Sequence, residues 1–177
     1  NYHNGFDKLV DAFIDLKTKN ALPGLTLNVC GGFTGDDKPF ISSQMRKIRE
    51  KGFQKCVRIF HEFHGENKLA FFRSVDVISV PVRKYDGYGL YILEANSAGI
   101  PVVQPSTGAF PEILEKTGGG IIYSPDTVEE LSAALLRLLK DRKSINEFGE
   151  AGSKRVRSEL SLSRMSSGLS AVYNNVS

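Results

Sequence analysis

Short apolar runs alternate with amphipathic helical stretches along this whole chain, and that alternation restricts its fold more than any other feature. Phe6, Leu9, Val10, Phe13, Ile14 and Leu16 recur at helical spacing and predict a helix over residues 5–20. Pro23-Gly24 breaks it, and Leu25-Thr26-Leu27-Asn28-Val29-Cys30 reads as a strand ending in Gly31-Gly32. A polar loop through Pro39 leads to a helix over 40–51, with Gly52 as its C-cap. A strand over 57–63 and a helix over 65–74 follow, then a nearly continuous apolar strand over 75–82, the kind buried on both faces. Next come a helix over 88–98 stopped by Gly99-Ile100-Pro101, a very short strand at Val102-Val103, a short helix over 110–116 and a short strand over 120–123. Asp126 or Thr127 caps a strong helix with Leu131, Leu135, Leu138 and Leu139 on one face, and 144–159 and 163–173 read as two more polar helices. The pattern implies an α/β fold, a Rossmann-like parallel sheet with helices on both faces. Ligands in such sheets bind at the carboxyl ends of strands, near a switch point.

The amino end departs from this pattern. Asn1-Tyr2-His3-Asn4-Gly5 runs straight into a helix, whereas α/β domains usually open on a strand. The expectation is a sheet whose first strand is missing, in a piece of something longer.

Bulk properties exclude several classes. The 177 residues suffice for one domain with a sizeable core, and 41% hydrophobic with 24% charged residues fits a globular protein. A net charge of +3 is too small to argue for nucleic acid. The basic runs Arg46-Lys47-Ile48-Arg49, Arg142-Lys143 and Lys154-Arg155-Val156-Arg157 lie in helical stretches with acids nearby and read as solvated faces. Cys30 and Cys56 give no disulfide framework and are expected as buried thiols. No apolar run approaches the roughly 18 residues of a membrane span. A cytoplasmic location is expected, or one at the inner face of a membrane.

The segment Ser79 to Glu94 is where chemistry concentrates. It joins the buried strand, a loop with Gly87 and Gly89, and a helix opening, with Asp86 and Glu94 on either side of the turn. Glycines let a backbone approach a phosphate, and a helix N-terminus offers unpaired N–H groups and a partial positive charge. A carboxylate can take two hydrogen bonds from a sugar or ribose diol. Glu94 shares a helix face with Leu90 and Ala98, where an ionised carboxylate is costly unless partnered. Spacing alone leaves two readings of Glu94 open: a half-exposed residue favoured by the helix dipole, or a ligand for a diol. His61-Glu62-Phe63-His64 is one residue short of the zinc-protease pattern and sits at a strand end, so it does not read as a metal site. Gly31-Gly32 lacks the spacing of a dinucleotide fingerprint.

The run Asp86-Gly-Tyr-Gly-Leu-Tyr-Ile-Leu-Glu94-Ala-Asn-Ser-Ala-Gly-Ile-Pro101-Val-Val resembles the group 1 glycosyltransferases, the retaining family 4 enzymes of GT-B fold. Thr107-Gly-Ala-Phe-Pro-Glu112-Ile, Gly118-Gly-Gly-Ile-Ile-Tyr-Ser-Pro-Asp126, Gly5-Phe-Asp-Lys-Leu-Val-Asp-Ala-Phe13, Leu27-Asn-Val-Cys-Gly-Gly32 and Asp76-Val-Ile-Ser-Val-Pro81 extend the resemblance over nearly the whole chain. It implies the C-terminal, donor-binding half of a two-domain enzyme that moves a hexose-type sugar from a nucleotide-sugar to a glycan or lipid-linked acceptor with retention. It further implies that Asp86 contacts the donor sugar and Glu94 holds the ribose hydroxyls, both ranked as catalytic. Gly87, Tyr88, Gly89 and Leu90 complete the donor site, with backbone N–H groups of Tyr88, Gly89 and Leu90 facing the diphosphate. His61 and Phe63 are candidates to border the base. No metal and no cofactor are expected; helix dipole and basic side chains would meet the leaving-group charge.

Residues 1–160 are expected to form the donor domain and 161–177 a C-terminal helix, with two readings open: docking on the N-terminal domain, or packing on its own domain; without the N-terminal domain the piece would not catalyse transfer. Peripheral membrane association of the full enzyme fits a lipid-linked acceptor. The sequence departs from the family pattern at four places: Asp86 replaces Glu, Asn4 stands at the Lys of a diphosphate-binding motif whose Arg falls before residue 1, His61 replaces a strand-end Gly, and Ala109 replaces the second Gly of a pair. Two alternatives follow: a nucleotide-sugar epimerase-like protein or hydrolase, and a non-catalytic binding or assembly module.

Overall fold

The structure, a computed structural model, describes residues 2–31, 35–61, 64–83 and 89–176, the side chains through Tyr173. Helix α1 (Phe6–Thr18) buries Val10, Ala12, Phe13, Ile14 and Leu16 along one stripe. Strand β1 (Leu27–Cys30) follows, then a 3-10 turn at Gly35–Asp37 and helix α2 (Lys38–Glu50). A second 3-10 turn leads into β2 (Val57–Phe60) and helix α3 (Gly65–Arg73). Helix α4 (Leu90–Ser97) precedes β3 (Val102–Pro105), α5 (Phe110–Thr117) and β4 (Gly120–Tyr123). The chain closes with α6 (Val128–Lys140), α7 (Arg142–Glu159) and α8 (Leu162–Val176).

All observed strand pairing is parallel, as the alternation of strand and helix requires. Strands β1 and β2 pair with Leu27 opposite Val57, and β3 and β4 pair with Val102 opposite Gly120. Residues 75–82, expected as one strand, contribute a single parallel bridge, Ile78 to Val102. Ile78 N–H donates to the Pro101 carbonyl and the Ile78 carbonyl accepts from Val103 N–H. The sheet is therefore split between β1 on one side and the 77–80 run on the other.

Helices cover both faces. Leu16, Val103, Tyr123, Leu131 and Leu138 make a core under α1 and α6, which Val10, Phe13, Leu27 and Ile48 continue under α2. Phe71, Phe72, Ile92, Val102, Phe110 and Leu114 make the core under α3, α4 and α5. Neighbouring Val102 and Val103, both fully buried, point to opposite faces, which is the period-two geometry of a central strand. Each large apolar side chain sealed this way contributes about 1.5–3 kcal/mol.

Caps fall close to where side-chain chemistry placed them. Of the two candidates for α6, Thr127 is the cap: its hydroxyl accepts from Glu130 N–H at 3.3 Å. Helix α7 begins two residues before expectation because the Asp141 carboxylate caps it, accepting from Lys143 N–H and from the Ser144 hydroxyl. No helix among the described residues is long and apolar enough to cross a membrane. Cys30 and Cys56 form no disulfide and are half-buried, and burial pushes the Cys30 thiol up.

Candidate functional site

The site is built at the carboxyl ends of the 77–80 run and β3. Because β3 and the 77–80 run are parallel, the helices that follow them start at the same end of the sheet. Helix α4 starts at Gly89 and α5 at Ala109, and their first turns meet through Tyr91 and Phe110, whose rings lie 6.2 Å apart edge to face. Two helix N-termini side by side put unpaired N–H groups and positive dipole ends on one patch. Neither helix end has a side-chain cap.

Gly89 sets the entry to α4. It adopts φ 53° and ψ 41°, the left-handed region, and a Cβ there would lie 3.0 Å from Ile92 Cδ1 and 3.0 Å from Phe110 Cε1. Leu90 follows as the first helical residue and is 66% exposed, an open apolar position at the start of the helix. Asp86, Gly87, Tyr88 and Phe63 lie outside the described residues.

Glu94 sits on the second turn of α4. Its Oε1 accepts from Lys68 Nζ of α3 at 2.5 Å, and Oε2 has no partner among the described residues. The carboxylate is thus partnered, as its apolar neighbours require, and it stays 40% exposed. Lys68 lies 26 positions away and belongs to a helix read only for its apolar positions, so no local signal pointed to it. His61 stands exposed just beyond the end of β2, at the same end of the sheet. Asn4 lines a cavity of about 350 Å³ with Gly31, Pro81 and Tyr91, which opens between the carboxyl ends of β1 and the 77–80 run.

A second cluster fixes this end of the sheet. The Arg83 guanidinium grips Asp7 with two bonds of 2.6 Å, stacks 4.1 Å from the Tyr2 ring and donates to the Tyr2 carbonyl, while Arg83 N–H donates to the His3 carbonyl. Burial pushes the Asp7 carboxyl up, but the Arg83 hydrogen bonds and charge, with its backbone donors, outweigh it and hold the group below the ordinary carboxylate range. Nearby, Lys8 reaches Asp126 at 2.5 Å, and Tyr123 donates to the same carboxylate at 3.2 Å. Burial and the Asp126 charge push the Tyr123 phenol far up.

The chain is 27% identical over 179 aligned positions to the lipopolysaccharide core biosynthesis mannosyltransferase LpsB of Rhizobium meliloti (strain 1021), covering 99% of this chain and 49% of that protein. The C-terminal domain of the group 1 family glycosyltransferase LpcC from Francisella tularensis superposes with a TM-score of 0.78 at 24% identity, covering 92% of this chain and 82% of that one. Anabaena HepE, solved in complex with UDP and glucose, superposes with a TM-score of 0.76 at 18% identity, covering 89% of this chain and 41% of that one. The chain spans between about a third and a half of the length of its curated relatives: 49%, 34% and 32% in three cases. The family model for glycosyl transferases group 1 matches residues 1–155, most of the chain, and this protein belongs to that family.

Proposed function

We propose that this chain is the donor-binding half of a glycosyltransferase that moves a hexose-type sugar from a nucleotide-sugar to a glycan or lipid-linked acceptor. The observation that carries the reading is Glu94: a partnered but half-exposed carboxylate, one turn beyond a left-handed glycine, at the carboxyl end of a parallel sheet. Such a group suits a ribose diol, with Oε2 open to accept while Lys68 restrains the side chain. The first-turn amides of α4 suit the diphosphate, and Asp86 is the residue proposed to meet the donor sugar. His61 and Phe63 are proposed to border the base.

In the proposed transfer the bond from the anomeric carbon to the diphosphate breaks, and the electron pair leaves with the nucleoside diphosphate. The acceptor hydroxyl forms the new bond on the face the diphosphate vacates and passes its proton to the departing diphosphate oxygen, so the configuration is kept. Helix N-termini and basic side chains meet the developing negative charge without a metal. The acceptor surface and the remaining groups belong to an N-terminal domain, so the isolated chain binds donor without transferring it. A lipid-linked acceptor would bring the full enzyme to the inner face of a membrane.

Titration with UDP, GDP, ADP and their sugars tests this. Half a cleft binds weakly, with Kd roughly 0.1–1 mM, or about −4 to −5.5 kcal/mol. One nucleotide is expected to bind selectively, and Glu94→Ala to weaken it about tenfold or more, while its 2′,3′-dideoxyribose analogue binds wild type and Glu94→Ala alike. Equal binding by wild type and Glu94→Ala would remove Glu94 from the site and favour a non-catalytic module.

A further inference from the structure

Helix α3 carries a cation where its pattern calls for an apolar residue. Lys68 lies three and four positions before Phe71 and Phe72, the buried residues of α3. Residues so spaced share one face of a helix, so Lys68 continues the core-facing stripe toward the start of α3. Its side chain is only 26% exposed. A Lys in such a place lays its aliphatic stem along apolar surface and leaves the ammonium at the tip to be matched. The tip crosses to α4, where Nζ donates to Glu94 Oε1 at 2.5 Å.

This ion pair differs from those that lace single helices. Lys116–Glu112 and Lys143–Glu147 each join neighbouring turns of one helix, with all four side chains more than half exposed. Pairs of that kind contribute little. Lys68–Glu94 joins two helices across 26 positions, and its carboxylate, at 40%, is the more open of the two groups. Two other cations at this end of the sheet, Arg83 and Lys8, are held by carboxylates of their own, Asp7 and Asp126.

The donor-site reading, on which this inference rests, sets a charge problem at Glu94. There the carboxylate accepts from a ribose hydroxyl while the same ligand carries a diphosphate a few bonds away. A bare carboxylate repels that anion, and the repulsion falls only slowly with distance at a half-exposed site. We propose that Lys68 is a specificity-determining residue: it cancels the charge of Glu94, so that a carboxylate can read a hydroxyl on a ligand that is itself an anion. Lys68 thereby sets the preference of the site for a nucleoside diphosphate over the neutral nucleoside. Restraint of the side chain is not enough to explain the residue. An amide or hydroxyl on α3 would restrain Glu94 as well, with no ammonium on a core-facing stripe; only a cation removes the charge.

The test measures Kd for UDP, GDP and ADP, and for uridine, guanosine and adenosine, by NMR titration at low ionic strength. It compares wild type, Lys68→Met, Glu94→Gln and the double variant, with urea midpoints to verify that each is folded. The readout is the ratio of nucleoside Kd to nucleoside diphosphate Kd for the base that binds. Lys68→Met, which keeps an apolar stem, is expected to lower that preference about tenfold, and Glu94→Gln to raise it by a similar factor. The double variant is again neutral and should return to within about twofold of wild type, and Lys68→Arg should leave the preference unchanged. High salt should shrink the differences among the variants. A preference that stays low in the double variant would overturn the proposal, because Lys68 would then touch the diphosphate itself. So would a preference that no substitution moves, which would leave Lys68 a packing residue. Both of those outcomes leave the donor site standing, whereas failure of every diphosphate to bind wild type would remove the site and the proposal together. Should Lys68→Met not fold, Glu94→Gln alone decides: an unchanged preference there would mean that the diphosphate does not feel the carboxylate.

Discussion

A methyl group at Gly89 would meet two separate obstacles, and the residue scale is where they can be separated. The φ of 53° lies in the left-handed region, and the added Cβ would press on Ile92 and Phe110 at 3.0 Å. Gly99 is the natural control, because its φ of 77° imposes the same backbone cost with nothing within 4 Å of a Cβ. Gly99→Ala is expected to cost about 1–2 kcal/mol from backbone strain alone. Gly89→Ala is expected to cost about 1–3 kcal/mol more, since Ile92 and Phe110 are buried at 0% and 1% exposure and have nowhere to move. Urea unfolding of the two variants checks the difference; equal costs would mean that the first turn of α4 gives way without strain. The same residues show what was legible. Glycine, carboxylate and helix start were readable at Gly89 and Glu94 because they are local chemistry. The ion pair from Lys68 was not, because a contact across 26 positions depends on how α3 lies against α4.

At the scale of elements, periodicity carried most of the information, and its failures have a common cause. Helices α1 and α6 were readable because their apolar stripes are buried along the length the spacing implies. The apolar run 75–82 was readable as a buried strand, yet it pairs through Ile78 alone, donating to Pro101 and accepting from Val103, while its other edge faces a cavity. Helix α8 makes the opposite point. Its apolar side chains have helical spacing, but burial is a property of the partner surface, and Leu162, Met165, Leu169, Val172 and Tyr173 are 52–80% exposed. A chain ending at Leu160 should therefore keep the urea midpoint of the full chain to within about 0.5 kcal/mol of stability, the range of surface changes. It should also lose whatever self-association the full chain shows on sedimentation, since the exposed stripe is gone. A clear loss of stability on truncation would mean that α8 packs on its own domain.

At the scale of the whole molecule, what joins the two parts of the split sheet matters more than any one strand. The Arg83–Asp7 pair spans 76 positions and ties α1, which leads into β1, to the carboxyl end of the 77–80 run, which pairs with β3. Both side chains are about one-fifth exposed, and two parallel bonds of 2.6 Å give the pair the fork geometry that makes such contacts strong. Its pH dependence has a definite sign. Asp7 titrates lower in the folded chain than its ordinary value of 3.8, so its contribution is fully present above that value and is lost as pH falls through the folded value. Asp7→Asn keeps the shape and removes the charge. At neutral pH it is expected to lower stability by about 1–3 kcal/mol, the range for hydrogen bonds to charged groups. Between about pH 5 and 7 the gap to wild type should be constant, because an ionised Asp7 is common to folded and unfolded chains there. Below about pH 4 the gap should close, because the unfolded chain takes up the proton first. Comparing the two proteins cancels the titration of the other carboxylates, so urea midpoints across this range isolate the pair. A gap that widens in acid would mean that Asp7 is raised by burial, and that Arg83 does not tie the two parts of the sheet together through it.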